Sequence, residues 1–409
     1  MKKFTQLTLG ILTAIGGFVD IGDLVANALV GARFGMSLAW VVVVGVIGIC
    51  LFAEMSGRVA TVTGRPVFDL VRERLGVRAG LANLMASFFI NFLTLVAEIG
   101  GVALALSLAT SVHYLLWVPL VAVLLWITLW KVKFETMERI YGLLGLCLIV
   151  FAVALWQLGP DWGSLWSQAS NPTVPQGEGH PTWIYYAIGL FGAAMTPYEV
   201  FFFSSGAVEE RWTEKDLNLN RANVYVGFPL GGLLSLSIMA CTATLLQPRG
   251  IGVDTLSQVS LPVVYALGKL GLAVVLIGFF AATFGAAIET LLSSGYTIGQ
   301  YFGWQWGKYV PPKKAARFHV VLLLTLVLAA MVTLTTVDPV KVTEYSIVLS
   351  AAALPLTYLP ILIVANDREF MQDKTNSRFT NFLASIYLVI IMVVAVITIP
   401  LMLATKAGQ

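Results

Sequence analysis

Apolar runs long enough to cross a bilayer recur along almost the whole chain, and they leave only one kind of solvent in which it can fold. A spanning helix needs about 20 predominantly apolar residues. Such runs fall at 10–32, 36–58, 79–109, 113–131, 137–158, 182–210, 220–247, 263–302, 314–336, 342–365 and 379–404. Eleven spans leave no room for a separate soluble domain. Of the 409 residues 58% are hydrophobic and 11% charged, whereas a soluble globular chain carries roughly a quarter charged residues. The net charge of +3 comes from basic residues scattered through short loops, which is no surface for nucleic acid. Cys50, Cys147 and Cys241 lie far apart inside apolar runs and read as small core residues, neither a metal set nor a disulfide. Met1-Lys2-Lys3 runs into the first apolar stretch without an A-x-A-like site, so that stretch is expected to be retained as a span.

Lys and Arg orient the spans. With the N-terminus inside, 20 of the 25 basic residues fall on the internal side, and Arg33, Arg249, Lys269, Lys341 and Lys406 fall outside. The polar stretch 157–182, the longest in the chain, carries none and reads as an external loop. This asymmetry is the positive-inside rule applied to eleven alternating segments, and it predicts a multi-pass protein of a bacterial-type inner membrane with an external C-terminus.

Charges inside a span cost a few kcal/mol and mark function by default. The first span holds Gly16-Gly17-Phe18-Val19-Asp20-Ile21-Gly22-Asp23. Helical spacing of three would put Asp20 and Asp23 on one face, and unwinding at Gly22 would free backbone carbonyls as further oxygen ligands. The alternative is a kinked helix whose second half Asp20 caps, but a cap needs one acid and not two. The sixth span holds Gly192-Ala193-Ala194-Met195-Thr196-Pro197-Tyr198-Glu199. Pro197 removes a helical hydrogen bond, so a break is expected at Thr196, with free carbonyls near Ala193. Broken helices five spans apart point to two inverted five-helix halves with cargo held between the breaks near the midplane.

The other polar residues within spans are weaker signals. Glu98 would either face the cavity or pair with a neighbour such as Asn91, and Glu289 would either face the cavity or serve packing. Glu54 is four residues from Arg58 and suits a local ion pair. Glu135, Glu138 and Arg139 read as an internal gate or a cap. His113, His180 and His319 sit at span ends or in loops and suit no intramembrane proton relay.

These motifs resemble the natural resistance-associated macrophage protein (NRAMP) family of divalent-metal transporters. Asp20-Ile21-Gly22-Asp23, continuing to Gly31-Ala32-Arg33-Phe34-Gly35, stands where the family has Asp-Pro-Gly-Asn and a Gly-Ala-x-Phe-Gly turn. Val62-Thr63-Gly64-Arg65 and Ala97-Glu98-Ile99-Gly100 also look familial, and Thr196-Pro197-Tyr198 stands where the family has Met-Pro-His. The likeness covers all the spans. It implies an all-α membrane protein with a LeuT-type inverted repeat of five plus five helices and an additional eleventh helix. The halves would be 1–158 and 182–365, separated by the loop 159–181 and followed by 366–409.

The departures matter as much as the matches. Ile21 replaces a proline, Asp23 the ligand asparagine, Thr196 the thioether ligand and Tyr198 the histidine. Leu95 stands at the third-span aspartate and Ser346 at a tenth-span glutamine. Hard oxygen ligands suit Mg²⁺, Ca²⁺ or Mn²⁺, and Mg²⁺ keeps several waters. The pattern looks like the NRAMP-related magnesium transporters. The expected cargo is therefore a hydrated divalent cation, Mg²⁺ first and Mn²⁺ next, held by Asp20, Asp23, the Ala193 carbonyl and Thr196. Tyr198, Glu98, Glu199, Glu289 and Ser346 would line the path, and no proton would be coupled. No catalytic constellation and no cofactor is expected, and the partners would be the metal ion and lipid, with the chain acting as a monomer. Two alternatives share the fold: a proton-coupled Mn²⁺ or transition-metal carrier, and an ion-coupled amino-acid carrier. A membrane enzyme or a scaffold would need a set of catalytic residues that the spans do not show.

Overall fold

A computed structural model of the chain describes residues 10–11, 14–15, 17–132, 134–335 and 338–408, with the side chains of 134, 135 and 138 left out of account. The N-terminal lysines, Gly16 and the side chains of Glu135 and Glu138 thus lie outside the described residues. Among these, ten helices are long and apolar enough to cross a membrane. They correspond in order to the second through eleventh expected spans. The first span is described in part: after the break at Val19–Asp20 it continues as α1 (Ile21–Phe34). Next come α2 (Ala39–Thr63), α3 (Val67–Thr110), α4 (Tyr114–Lys131), α5 (Phe134–Gly145) and α6 (Val150–Leu158). A helix α7 (Trp162–Ser170) lies in the stretch expected to be a plain loop, with Asp161 capping its N-terminus through Gly163 N at 3.0 Å.

The sixth span consists of α8 (His180–Ala194) and α9 (Pro197–Glu209), parted at Met195–Thr196. Then follow α10 (Leu217–Leu245), α11 (Leu256–Phe302), α12 (Ala316–Leu334), α13 (Pro339–Ala365) and α14 (Arg378–Ala404).

Two irregularities recur five spans apart, as a five-plus-five architecture requires. The breaks in the first and sixth spans are one pair. The other is in the third and eighth spans, α3 and α11, which begin earlier than their apolar windows. Each carries an N-terminal segment bent at a glycine with positive φ, Gly76 at 82° and Gly268 at 62°. A side chain at either position would be strained, so the bend falls where glycine permits it.

The broken helices sit at the centre. α1 packs on α10, α8 on α13, and α9 on α2 and α11, while α3 lies against α11 and α13. In lipid no hydrophobic drive pulls helices together, so close approach depends on small residues. A β-carbon on Gly31 would lie 2.2 Å from the Met239 carbonyl oxygen, and one on Gly192 would lie 2.3 Å from the Ile347 carbonyl oxygen. The peripheral helices α4 and α14 expose Leu116, Val123, Val389 and Val396, as lipid-facing surfaces should. Cys50 and Cys241 are buried and Cys147 is partly so; all three are free thiols. Arg58 pairs with Glu54 at 3.1 Å, as their spacing implied.

Candidate metal site

The two breaks face each other, and each follows from its local sequence. Asp20 is in extended conformation and caps α1: its Oδ1 accepts from Asp23 N at 2.8 Å. On the other side Pro197 begins α9, and having no N–H it leaves the Ala193 carbonyl without its helical donor. Thr196 is the N-cap, and its hydroxyl donates to Glu199 Oε2 at 3.2 Å. Tyr198 joins the halves, its hydroxyl placed to donate to Gly17 O at 3.0 Å and to Asp20 Oδ2 at 3.2 Å.

Between the breaks lies a cavity of about 10 Å³, the space of roughly one water. Its polar lining is Asp20, Thr94, Thr196, Tyr198, Thr343, Ser346 and Ser350. Every one of these side chains presents oxygen; no Cys, Met or His side chain lines it. The Ser346 hydroxyl is 3.0 Å from that of Thr94, and Thr343 donates to Pro339 O at 2.8 Å. The Ser350 hydroxyl is buried and nothing among the described residues bonds it. Buried polar atoms without partners are uncommon and call for an explanation. The sulfur of Met195, at the break itself, packs toward α2, where a β-carbon on Gly48 would be 2.7 Å from it.

Several expectations need correction. Asp20 lines the cavity and Asp23 does not. The break precedes Gly22, so Asp20 is a cap and Asp23 the third residue of α1. Asp23 turns away from the cavity to accept from Ser235 at 2.5 Å and from Asn27 at 2.8 Å. Asp20 thus caps α1, as the kinked-helix alternative has it, and Asp23 has a structural place: a carboxylate in the first turn complements the helix dipole. The same design recurs at the other break, where Glu199 follows Thr196 by three. Glu98 does not pair with Asn91, whose amide donates to Ser293 at 3.3 Å; it accepts from Ile21 N at 3.1 Å. Ala193 is buried beside the cavity without lining it.

Glu199 and Glu289 lie outside the cavity and converge instead beside Gly17. A β-carbon there would be 2.8 Å from Glu199 Oε1 and 2.7 Å from Glu289 Oε2. Among the described residues no Lys, Arg or His forms an ion pair with Asp20, Asp23, Glu98, Glu199 or Glu289. The broken helices thus enclose carboxylates without protein counter-charge, and such groups need cations or protons.

Thr94, Thr343 and Ser350 were not anticipated. Their signal was present: Thr343, Ser346 and Ser350 are spaced by three and four along one face of α13, and Thr94 is one turn before Glu98. Wider cavities, of about 660 Å³ near Glu54, Arg58 and Arg221 and about 570 Å³ near Arg33, Lys341 and Glu344, lie toward the two ends of the bundle.

An all-helical bundle with two helices broken against each other around an oxygen-lined pocket defines a LeuT-type membrane protein. The sequence pattern described as natural resistance-associated macrophage protein-like matches residues 10–400, and the chain belongs to that family. It is 25% identical over 378 residues to the divalent metal cation transporter MntH of Klebsiella pneumoniae subsp. pneumoniae, covering 89% of this chain and 86% of that one. It is 26% identical over 400 residues to the protein so named from Aeromonas hydrophila subsp. hydrophila, covering 92% and 91%. Its fold is similar to that of the Eremococcus coleocola manganese transporter, crystallised with an aromatic bis-isothiourea compound, at a TM-score of 0.71 and 18% identity over 100% of this chain and 88% of that one. A nucleobase-cation-symport-1 family transporter in a closed conformation superposes at 0.62, with 12% identity over 97% and 92%.

Proposed function

We propose that this protein carries a divalent cation across an inner membrane by alternating access, Mg²⁺ first and Mn²⁺ next, without coupling to protons. The observation that carries the reading is the lining of the central cavity: hard oxygen groups, one carboxylate and an unpaired buried hydroxyl at Ser350. Related chains named divalent metal cation transporters and the manganese transporter of like fold support its divalent-cation part. Asp20 holds the ion directly, with Thr196 on the facing break and Ser346 and Ser350 on α13; the Ala193 carbonyl stands beside this set. Asp23 supplies negative field from behind α1 and reaches the ion only through water. The repeats are 1–158 and 182–365, with 159–181 external, 366–409 carrying the last span and the N-terminus inside; one monomer suffices, since the cavity is built wholly from one chain.

With room for roughly one water, the cavity is too small for an ion with several retained waters. A hydrated Mg²⁺ therefore reaches the site in a wider conformation than this one. An amino-acid substrate is disfavoured because, among the described residues, no basic group in the lining meets its carboxylate.

Selectivity tests the oxygen argument. Proteoliposomes are expected to take up Mg²⁺ and Mn²⁺ with little advantage for Cd²⁺, and Thr196→Met is expected to raise Cd²⁺ uptake over Mn²⁺ by adding a soft ligand. Strong Cd²⁺ preference in the unaltered protein sinks the hard-ligand reading. Coupling is tested with a pH dye inside vesicles at clamped potential. Tyr198, with an ordinary pKa of about 10, and Leu95 are poor replacements for a titrating histidine and aspartate. Metal influx is expected without internal acidification; reproducible metal-dependent acidification restores the proton-coupled alternative.

A further inference from the structure

We infer that Glu98 is a positioning residue: from α3 it holds the first backbone N–H of α1, and so sets where Asp20 stands at the break. The inference rests on the reading of Asp20 as the ion's carboxylate. The first four N–H groups of a helix lack helical partners, and at mid-membrane lipid offers them no acceptor. In α1 the regular i→i−4 ladder begins with Leu24 N on the Asp20 carbonyl at 3.0 Å, and ahead of it Asp23 N bonds Asp20 Oδ1 at 2.8 Å. The Ile21 N–H is met from another helix: it donates to Glu98 Oε1 at 3.1 Å across from α3.

A second contact one turn along α3 acts in the same place. Ile21 Cδ1 occupies the space beside Gly101, where a β-carbon would lie 2.3 Å from it. Glu98 and Gly101 are three residues apart and share a helical face. One face of α3 thus grips both the backbone and the side chain of Ile21, the residue next to Asp20. Glu98 is fully buried, and among the described residues its Oε2 has no hydrogen-bond partner. Its structural task needs one acceptor oxygen and no charge. A proton relay would need the carboxyl itself.

That difference makes the two roles separable. Glu98→Gln keeps an acceptor of the same reach; Glu98→Met fills similar space without one. Each variant is reconstituted at matched amounts, Mn²⁺ uptake is resolved into KM and maximal rate, and hydrogen–deuterium exchange is followed at the Ile21 amide. In Glu98→Gln, KM is expected within about threefold of the unaltered protein with the amide still protected. In Glu98→Met, KM is expected to rise at least about tenfold, the factor corresponding to about 1.4 kcal/mol for a buried donor left unpaired, with faster exchange at Ile21. Gly101→Ala, which crowds Ile21, is expected to shift KM in the same direction as Glu98→Met. The inference is overturned if Glu98→Gln is as impaired as Glu98→Met, or if Glu98→Met leaves Ile21 exchange unchanged. Exchange is read without any metal flux, so failure of the unaltered protein to carry metal would count against the transport reading alone.

Discussion

Asp20→Ala is expected to lower metal uptake at least about 100-fold, equivalent to about 3 kcal/mol, the lower end of what leaving a buried charge uncompensated costs. Among the described residues Asp20 is the one acid that lines the central cavity, and its Oδ2 accepts from the Tyr198 hydroxyl at 3.2 Å. Two losses coincide in the variant. A divalent ion loses its carboxylate in a site with no other, and α1 loses the cap on Asp23 N. Asp20→Asn separates them, because an asparagine caps as well as an aspartate but brings no charge. Asp20→Asn should therefore fold like the unaltered protein and transport like Asp20→Ala. Asp23→Ala is expected to lose less, about tenfold, since its carboxylate faces Ser235 and Asn27 and acts on the ion from a distance. Uptake of ⁵⁴Mn²⁺ into proteoliposomes, normalised to inserted protein, checks all three. Normal transport by Asp20→Asn would remove Asp20 from the site.

Gly192→Ala should be the most disruptive of the small substitutions near the cavity. The added methyl would lie 2.3 Å from the Ile347 carbonyl oxygen and 3.1 Å from Ala351 Cβ, and backbone cannot swing aside as a side-chain tip can. Overpacking of this kind costs about 1–3 kcal/mol. The strain falls where α8 crosses α13, four residues before the break, so the cavity wall moves with it. A lowered melting temperature in detergent and impaired uptake are expected together. Gly206→Ala on α9 is the control: nothing lies within 4 Å of the added carbon, and removing a helical glycine stabilises by about 0.5–1 kcal/mol. Equal behaviour of the two variants would show that the α8–α13 contact is looser than described.

What was legible in the chain follows from the bilayer. Ten of the eleven apolar windows return as long apolar helices because lipid forces each span to satisfy its own backbone, and that demand is local. The break at Thr196 was equally local, since a proline without an N–H cannot continue a helix wherever it is placed. The NRAMP-like motifs fixed the family for the same reason: they are short runs of neighbouring residues.

The facing of side chains was decided elsewhere. Spacing of three does not say which partners two acids meet: Asp20 Oδ2 takes the Tyr198 hydroxyl, whereas Asp23 takes Ser235 and Asn27. Which oxygen group Asp23 meets depends on Ser235, 212 positions away. That Glu98 serves Ile21, 77 positions away, is equally long-range, and no local pattern encodes it. The bends at Gly76 and Gly268 were permitted by glycine and chosen by packing. The sequence by itself determined that the chain spans the membrane, that two helices break and where the second does, and that oxygen groups replace sulfur and imidazole there. Tertiary structure decided which of those oxygens face the cavity, because a side chain's direction at a broken helix is set by the neighbouring helices that supply its hydrogen-bond partners.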